Sequence, residues 1–207
     1  MKHWIFSFVL LLYCSMTFAQ QDFTGMAKYI MTVEGDSTHR KDSMAVIFGK
    51  DKIKIILYMP NTNNWGVPYE KIFIDDFTSQ STLDIDSEKG TYSVIPLKCT
   101  ALYEFVNTNR FDAVRRFLCM SYEADPLKID KTVALRATCL GSIDYFKPTI
   151  KNYFFLGVQP LVIDNRIVMD FKVTQPNGLK PRVYLYDLQK IDDTAPYFNL
   201  DGLTEAR

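Results

Sequence analysis

The 207-residue chain sets 24 Lys and Arg against 24 Asp and Glu, and 47% of it is hydrophobic and 14% aromatic. That aromatic content at zero net charge excludes a disordered chain. The lack of a basic surplus argues against grip on a phosphate backbone, so no nucleic-acid partner is expected.

The first nineteen residues read as an address. Lys2 and His3 precede an apolar run from Trp4 to Cys14, and Thr17-Phe18-Ala19 ends it on a small residue. This is the layout of a secretory signal peptide over residues 1–19, cleaved near Ala19. The run falls short of the roughly 20 residues a membrane-spanning helix needs, so the chain is not expected to span a membrane. Tyr13 stands where a lipoprotein signal would put a small residue before Cys14. Residues 20–207 are then expected to form a single β-rich domain, periplasmic or secreted.

Strand signals follow in chain order. Between Phe23 and Val33, Ala27, Tyr29, Met31 and Val33 share one side. Beyond a polar loop, Met44, Val46 and Phe48 alternate, Gly49-Lys50-Asp51 turns, and Ile53, Ile55 and Leu57 alternate with lysines. The stretch Met59 to Pro68 is rich in Pro and Asn and reads as a loop. Lys71 to Asp75, Ser81 to Ile85 and Thr91 to Leu97 read as strands joined by polar turns, Asp75-Asp76 belonging to the first turn. Phe111, Val114 and Phe117 have helical spacing, so a short helix is expected over Asn109 to Leu118. Phe117 to Ala124 and Val133 to Cys139 read as a strand pair, as do Ile167 to Thr174 and Arg182 to Leu188 around Gln175-Pro176-Asn177-Gly178. The expected fold is mainly β, an antiparallel sheet with one or two short helices.

The mature chain would keep Cys99, Cys119 and Cys139. A hairpin centred on Ile129 sets Cys119 opposite Cys139, a candidate disulfide whose loop closure is worth roughly 3 kcal/mol. The other reading is three small buried side chains.

Reactive motifs are sparse. His39 lies in a polar loop and reads as solvated, and there is no nucleophile elbow, phosphate loop or zinc-protease helix. Asp84, Asp86 and Glu88 miss the spacing of a calcium loop and read as a solvated turn. No metal, cofactor or enzymatic activity is expected. The feature with functional promise is the apolar stripe of Met44, Val46, Phe48, Ile53, Ile55, Leu57, Ile167, Met169 and Phe171. Such side chains line a cleft for a lipid or other apolar ligand, or they fill the core of a closed sheet. Trp65 among asparagines, with Tyr69 nearby, suggests a second use, as an interaction loop for an envelope protein or a glycan.

Several stretches carry a family resemblance: Phe23-x-Gly25, Met44-x-Val46 leading to Gly49-Lys50-Asp51-Lys52-Ile53, Ile72-Phe73-Ile74-Asp75, and Leu83-x-Ile85 leading to Gly90-Thr91-Tyr92. Gly157-x-x-Pro160-Leu161-x-Ile163, Met169 and Phe198 add to it. Together they resemble a family of secreted proteins from Gram-negative bacteria that is grouped with the periplasmic lipoprotein carriers of the Lol system. The resemblance implies a curved antiparallel sheet, a half-open barrel, with loops or helices over its hollow face. It implies a non-enzymatic binding protein, with a lipid or acylated ligand in that hollow.

Overall fold

The computed structural model describes residues 21–34, 42–59, 69–98, 104–124, 136–175 and 178–206. The leader expected at 1–19, His39, Trp65, Cys99 and Ile129 lie outside them.

The chain enters through β1 (Gln21–Asp22) and then runs as a meander of β2 (Gly25–Glu34), β3 (Asp42–Phe48), β4 (Lys52–Met59), β5 (Tyr69–Asp76), β6 (Ser81–Asp86) and β7 (Thr91–Pro96). Each pairs antiparallel with the next, as the alternating apolar pattern and tight polar turns require. A second run holds β8 (Phe105–Val114), β9 (Phe117–Ala124), β10 (Arg136–Phe146), β11 (Tyr153–Phe155), β12 (Gln159–Ile163), β13 (Arg166–Thr174) and β14 (Lys180–Lys190). The chain ends in a 3₁₀ turn (Ala195–Phe198) and β15 (Thr204–Glu205).

These strands form one open sheet ordered β15-β7-β6-β5-β4-β3-β2-β14-β13-β10-β9-β8, with β2 and β14 joining the two runs. The sheet is curved, mostly antiparallel and not closed, a half-open barrel as expected. The short helix expected over Asn109 to Leu118 is absent. That segment ends β8, turns through Arg115-Arg116 and begins β9. Phe111, Val114 and Phe117 owe their spacing to a hairpin turn that falls between them. Among the described residues the sole helical element is the 3₁₀ turn.

The inner face carries the main core: Ala27, Tyr29, Met44, Val46, Phe48, Ile53, Ile55, Phe73, Cys119 and Ile167 are all buried. A smaller cluster lies on the other face of β9, β10 and β13 and includes Tyr122, Cys139, Val168, Phe171 and Val173. Gly141 lets this sheet face its neighbours closely, since a Cβ there would sit 3.1 Å from Arg166 Cβ and 3.3 Å from both Ile163 and Tyr122.

The disulfide read from the sequence is not formed, for both Cys119 and Cys139 are free and buried. The β9–β10 ladder sets Cys119 opposite Ser142 and Cys139 opposite Tyr122. This register differs from the expected one by three residues. An odd offset sends the two thiols to opposite faces of the sheet, hence into different clusters.

Candidate functional site

The hollow of the half-barrel is the place where a ligand could be enclosed, and the chain fills it with its own β11–β12 hairpin. Tyr153, Phe155, Leu161 and Val162 point into the main core with Ile150 just before them. The hairpin exists because the sheet splits at β13. β14 pairs with β13 only over Asp170 to Lys172, and β12 takes up Ile167 and Arg166 instead. A tight turn through Asp164 and Asn165, both at positive φ, folds β12 back beside β13.

Three sets of contacts hold the hairpin. Ring edges meet at Phe73–Phe155 and Phe77–Tyr153, with centroids 5.2 and 5.3 Å apart. The Tyr153 hydroxyl donates to Asp75, whose other oxygen accepts from the Thr82 hydroxyl at 2.6 Å. Burial pushes the Asp75 carboxyl above its ordinary value, and the hydrogen bonds from Thr82 and Tyr153 oppose that shift. At the root, Lys147 is wholly buried. Its ammonium donates to Asp22 at 2.7 Å and to the Gly49 carbonyl at 2.9 Å. The Lys147 N–H donates to the Asn165 carbonyl at 2.7 Å, tying root and turn together.

The hairpin tip is exposed. Leu156 and Gly157 both have positive φ, and Leu156 and Val158 present apolar side chains to solvent. Among the described residues, β11 and β12 pair only with each other and with β13, so they share no backbone ladder with β2 to β7. Side chains alone join the hairpin to that wall.

Most of the expected cleft residues do meet in one place. Met44, Val46, Phe48, Ile53, Ile55, Ile167 and Met169 belong to the main core, and Leu57 packs against it half-buried. Phe171 does not join them. Leu140 faces Asp170 but Gly141 faces Val168, so Met169 is an extra residue in β13 that resets its phase. Phe171 therefore shares the opposite face with Cys139. Tyr69 opens β5 opposite Met59, while its proposed companion Trp65 lies outside the described residues.

Asp75 and Tyr153 were missed as partners. The sequence places Asp75 where the expected strand from Lys71 meets its turn, but β5 continues through Asp76 and Asp75 is buried. The available signal was its phase, two residues after Phe73 on an apolar face. Lys147 carries no comparable signal, because a lysine flanking Pro148 reads as loop surface.

Other clefts lie away from this hollow. One of about 920 Å³ lies between the β3–β4 turn and the C-terminal segment, lined by Asp22, Asp51, Asp192 and Asp193 among others. None of the nine expected cleft residues borders it. On β13 and β14, Asp170 receives a two-pronged bond from Arg182, both contacts at 2.9 Å, a structural pair between neighbouring strands. The described residues include no helix long and apolar enough to cross a membrane.

The fold and its hollow thus define a half-open β-barrel with an internal plug. No protein-family model and no curated protein matches the chain. Solved structures do. PNGF-II is similar over 89% of this chain at 15% identity and a TM-score of 0.48, and this chain spans 31% of that protein's length. A LolA-superfamily protein from Nitrosomonas europaea is similar over 88% of this chain and 91% of its own, at 9% identity and a TM-score of 0.38. An outer-membrane lipoprotein-sorting protein domain from Vibrio parahaemolyticus is similar over 92% of this chain and 94% of its own, at 9% identity and a TM-score of 0.28.

Proposed function

We propose that this chain is a non-enzymatic binding protein of the cell envelope, brought there by the leader at 1–19. Its hollow takes one chain of a lipid or acylated partner, and the β11–β12 hairpin is the plug that the ligand displaces. One observation supports this reading above others: the hairpin fills the hollow without a backbone bond to the β2–β7 wall. It can leave that wall while its ladder to β13 stays intact.

The energies match. Tyr153, Phe155, Leu161 and Val162 gain about 1.5–3 kcal/mol each by burial, or roughly 6–12 kcal/mol together. At about 0.8 kcal/mol per buried methylene, an alkyl chain of on the order of 8–15 carbons offsets their exposure. Common membrane acyl chains are at least that long.

The test is native mass spectrometry of the mature protein purified from its own envelope fraction, with a pyrene-labelled hexadecanoate titration beside it. Retained mass released by organic solvent, and tighter probe uptake by Tyr153→Phe than by the native chain, are the expected results. A clean unliganded mass together with no probe uptake by either protein would overturn the proposal.

A further inference from the structure

We propose that β8 is the surface through which two copies of this chain join, edge to edge and antiparallel, with Phe111 on the two-fold axis. The two ends of the sheet are treated differently. At one end β15 covers the first two residues of β7, pairing Thr204 with Thr91 and Glu205 with Tyr92, and the proline at Pro96 closes that strand. At the other end β8 pairs with β9 alone among the described residues. A strand in that position presents unused N–H and C=O groups, a template for another strand.

The side chains along this edge suit a second copy of themselves. Asn109, Arg110, Phe111, Asp112 and Ala113 are all exposed, and Phe111 leaves 61% of its surface in water. Leu118, on the neighbouring strand, is exposed as well. A large aromatic side chain in solvent on an open edge is a surface waiting for cover. Charge then selects the occupant. In an antiparallel pair centred on Phe111, Arg110 of each copy lies opposite Asp112 of the other, and the two Phe111 rings lie side by side. Moving the axis by one residue sets Arg110 against Arg110, or Asp112 against Asp112. Within the chain, Arg110 has no ion-pair partner among the described residues, and the Asp112 carboxylate accepts only the adjacent Ala113 N–H, at 2.7 Å.

The geometry also limits assembly to two. The β8–β9 ladder breaks its register between Asn107 and Phe111, and Asn109 has positive φ. The regular edge is therefore short. Because the contact is the same patch on both copies, it closes on itself.

Sedimentation equilibrium of the mature chain tests this. The native chain is expected to be a dimer at roughly 0.1 mM that dissociates on dilution. Asp112→Arg and Arg110→Asp should each weaken the dimer by about tenfold or more, since each turns both attractive pairs repulsive. The double swap, R110D with D112R, should restore it, and Phe111→Lys should weaken it by a separate route. All three sites are exposed, and circular dichroism of each variant confirms its fold. A native chain that stays monomeric at that concentration overturns the proposal. So does a dimer that the single reversals leave unchanged, or one that the double swap fails to restore.

Discussion

The hydroxyl of Tyr153 reaches across the hollow to the carboxylate of Asp75, and this bond is the polar link between the plug and the wall around it. Phe77 packs edge-on against the same tyrosine ring. Replacing Tyr153 by Phe keeps the ring contact and removes one donor from a buried carboxylate. Urea unfolding should show a loss of about 1–3 kcal/mol, and amide exchange over 153–163 should quicken more than in β3.

Asp75 makes part of the stability depend on pH. Burial raises its carboxyl above the ordinary 3.8, so the folded chain holds that proton more tightly than the unfolded one. The stability tied to this group is complete below that ordinary value and is lost as pH rises through the raised one. Asp75→Asn removes the titration. Unfolding free energies of the two proteins should therefore diverge in favour of the variant between about pH 4 and neutrality. A constant difference across that range would show that Asp75 does not carry this dependence.

The Lys147–Asp22 pair is lopsided, with the lysine wholly buried and the Asp22 side chain 37% exposed. Asp22→Ala leaves a buried ammonium with only the Gly49 carbonyl and should cost about 3–5 kcal/mol. Lys147→Met fills the same space without a charge and lets Asp22 turn to water, so it should cost about 1–3 kcal/mol. Thermal unfolding of the two variants should rank them in that order.

Neither described thiol should react while the chain is folded. Burial pushes Cys119 up to about 11 and raises Cys139 well above its usual value. In a Cys99→Ser background, iodoacetamide at about pH 8 should leave both unmodified until denaturant is added. Intact mass should then show two alkylated cysteines. Two protected cysteines after denaturation would instead mean a disulfide.

Leu156 holds a positive φ of 51° at the exposed tip of the hairpin. For a leucine that backbone is strained by about 1–2 kcal/mol, and Gly adopts it freely. Leu156→Gly should raise the unfolding free energy by about 0.5–1 kcal/mol after the added freedom of the unfolded chain, read from urea unfolding. Replacing the neighbouring Gly157 should do the reverse.

The meander from β2 to β7 was legible because Met44, Val46, Phe48, Ile53, Ile55 and Leu57 alternate cleanly and each connection is polar, with Gly, Asp or Asn in it or beside it. Period-two alternation reports which face is buried, and it does so well where a ladder is regular. It fails where the ladder is not. The extra residue at Met169 moves Phe171 to the other face, and the true β9–β10 register separates two cysteines that simple symmetry brings together. Nor does alternation say what covers an apolar face. That the cover is Tyr153 to Ile163, a segment more than sixty residues beyond β5, is a matter of tertiary placement. Its one local trace is the run of apolar residues on both sides of Gly157.

The ladder between β2 and β14 pairs Gly25 with Lys190 and Glu34 with Lys180. β2 therefore waits for a partner strand that is synthesised long after it. The local hairpins from β2 to β7 can close while synthesis continues, but β2 keeps a bare flank until about 150 further residues have emerged. During that interval the alternating run Ala27-x-Tyr29-x-Met31 is exposed to any other unfinished chain nearby. Escort at this stage, rather than help with the finished molecule, is what such a topology asks of the cell.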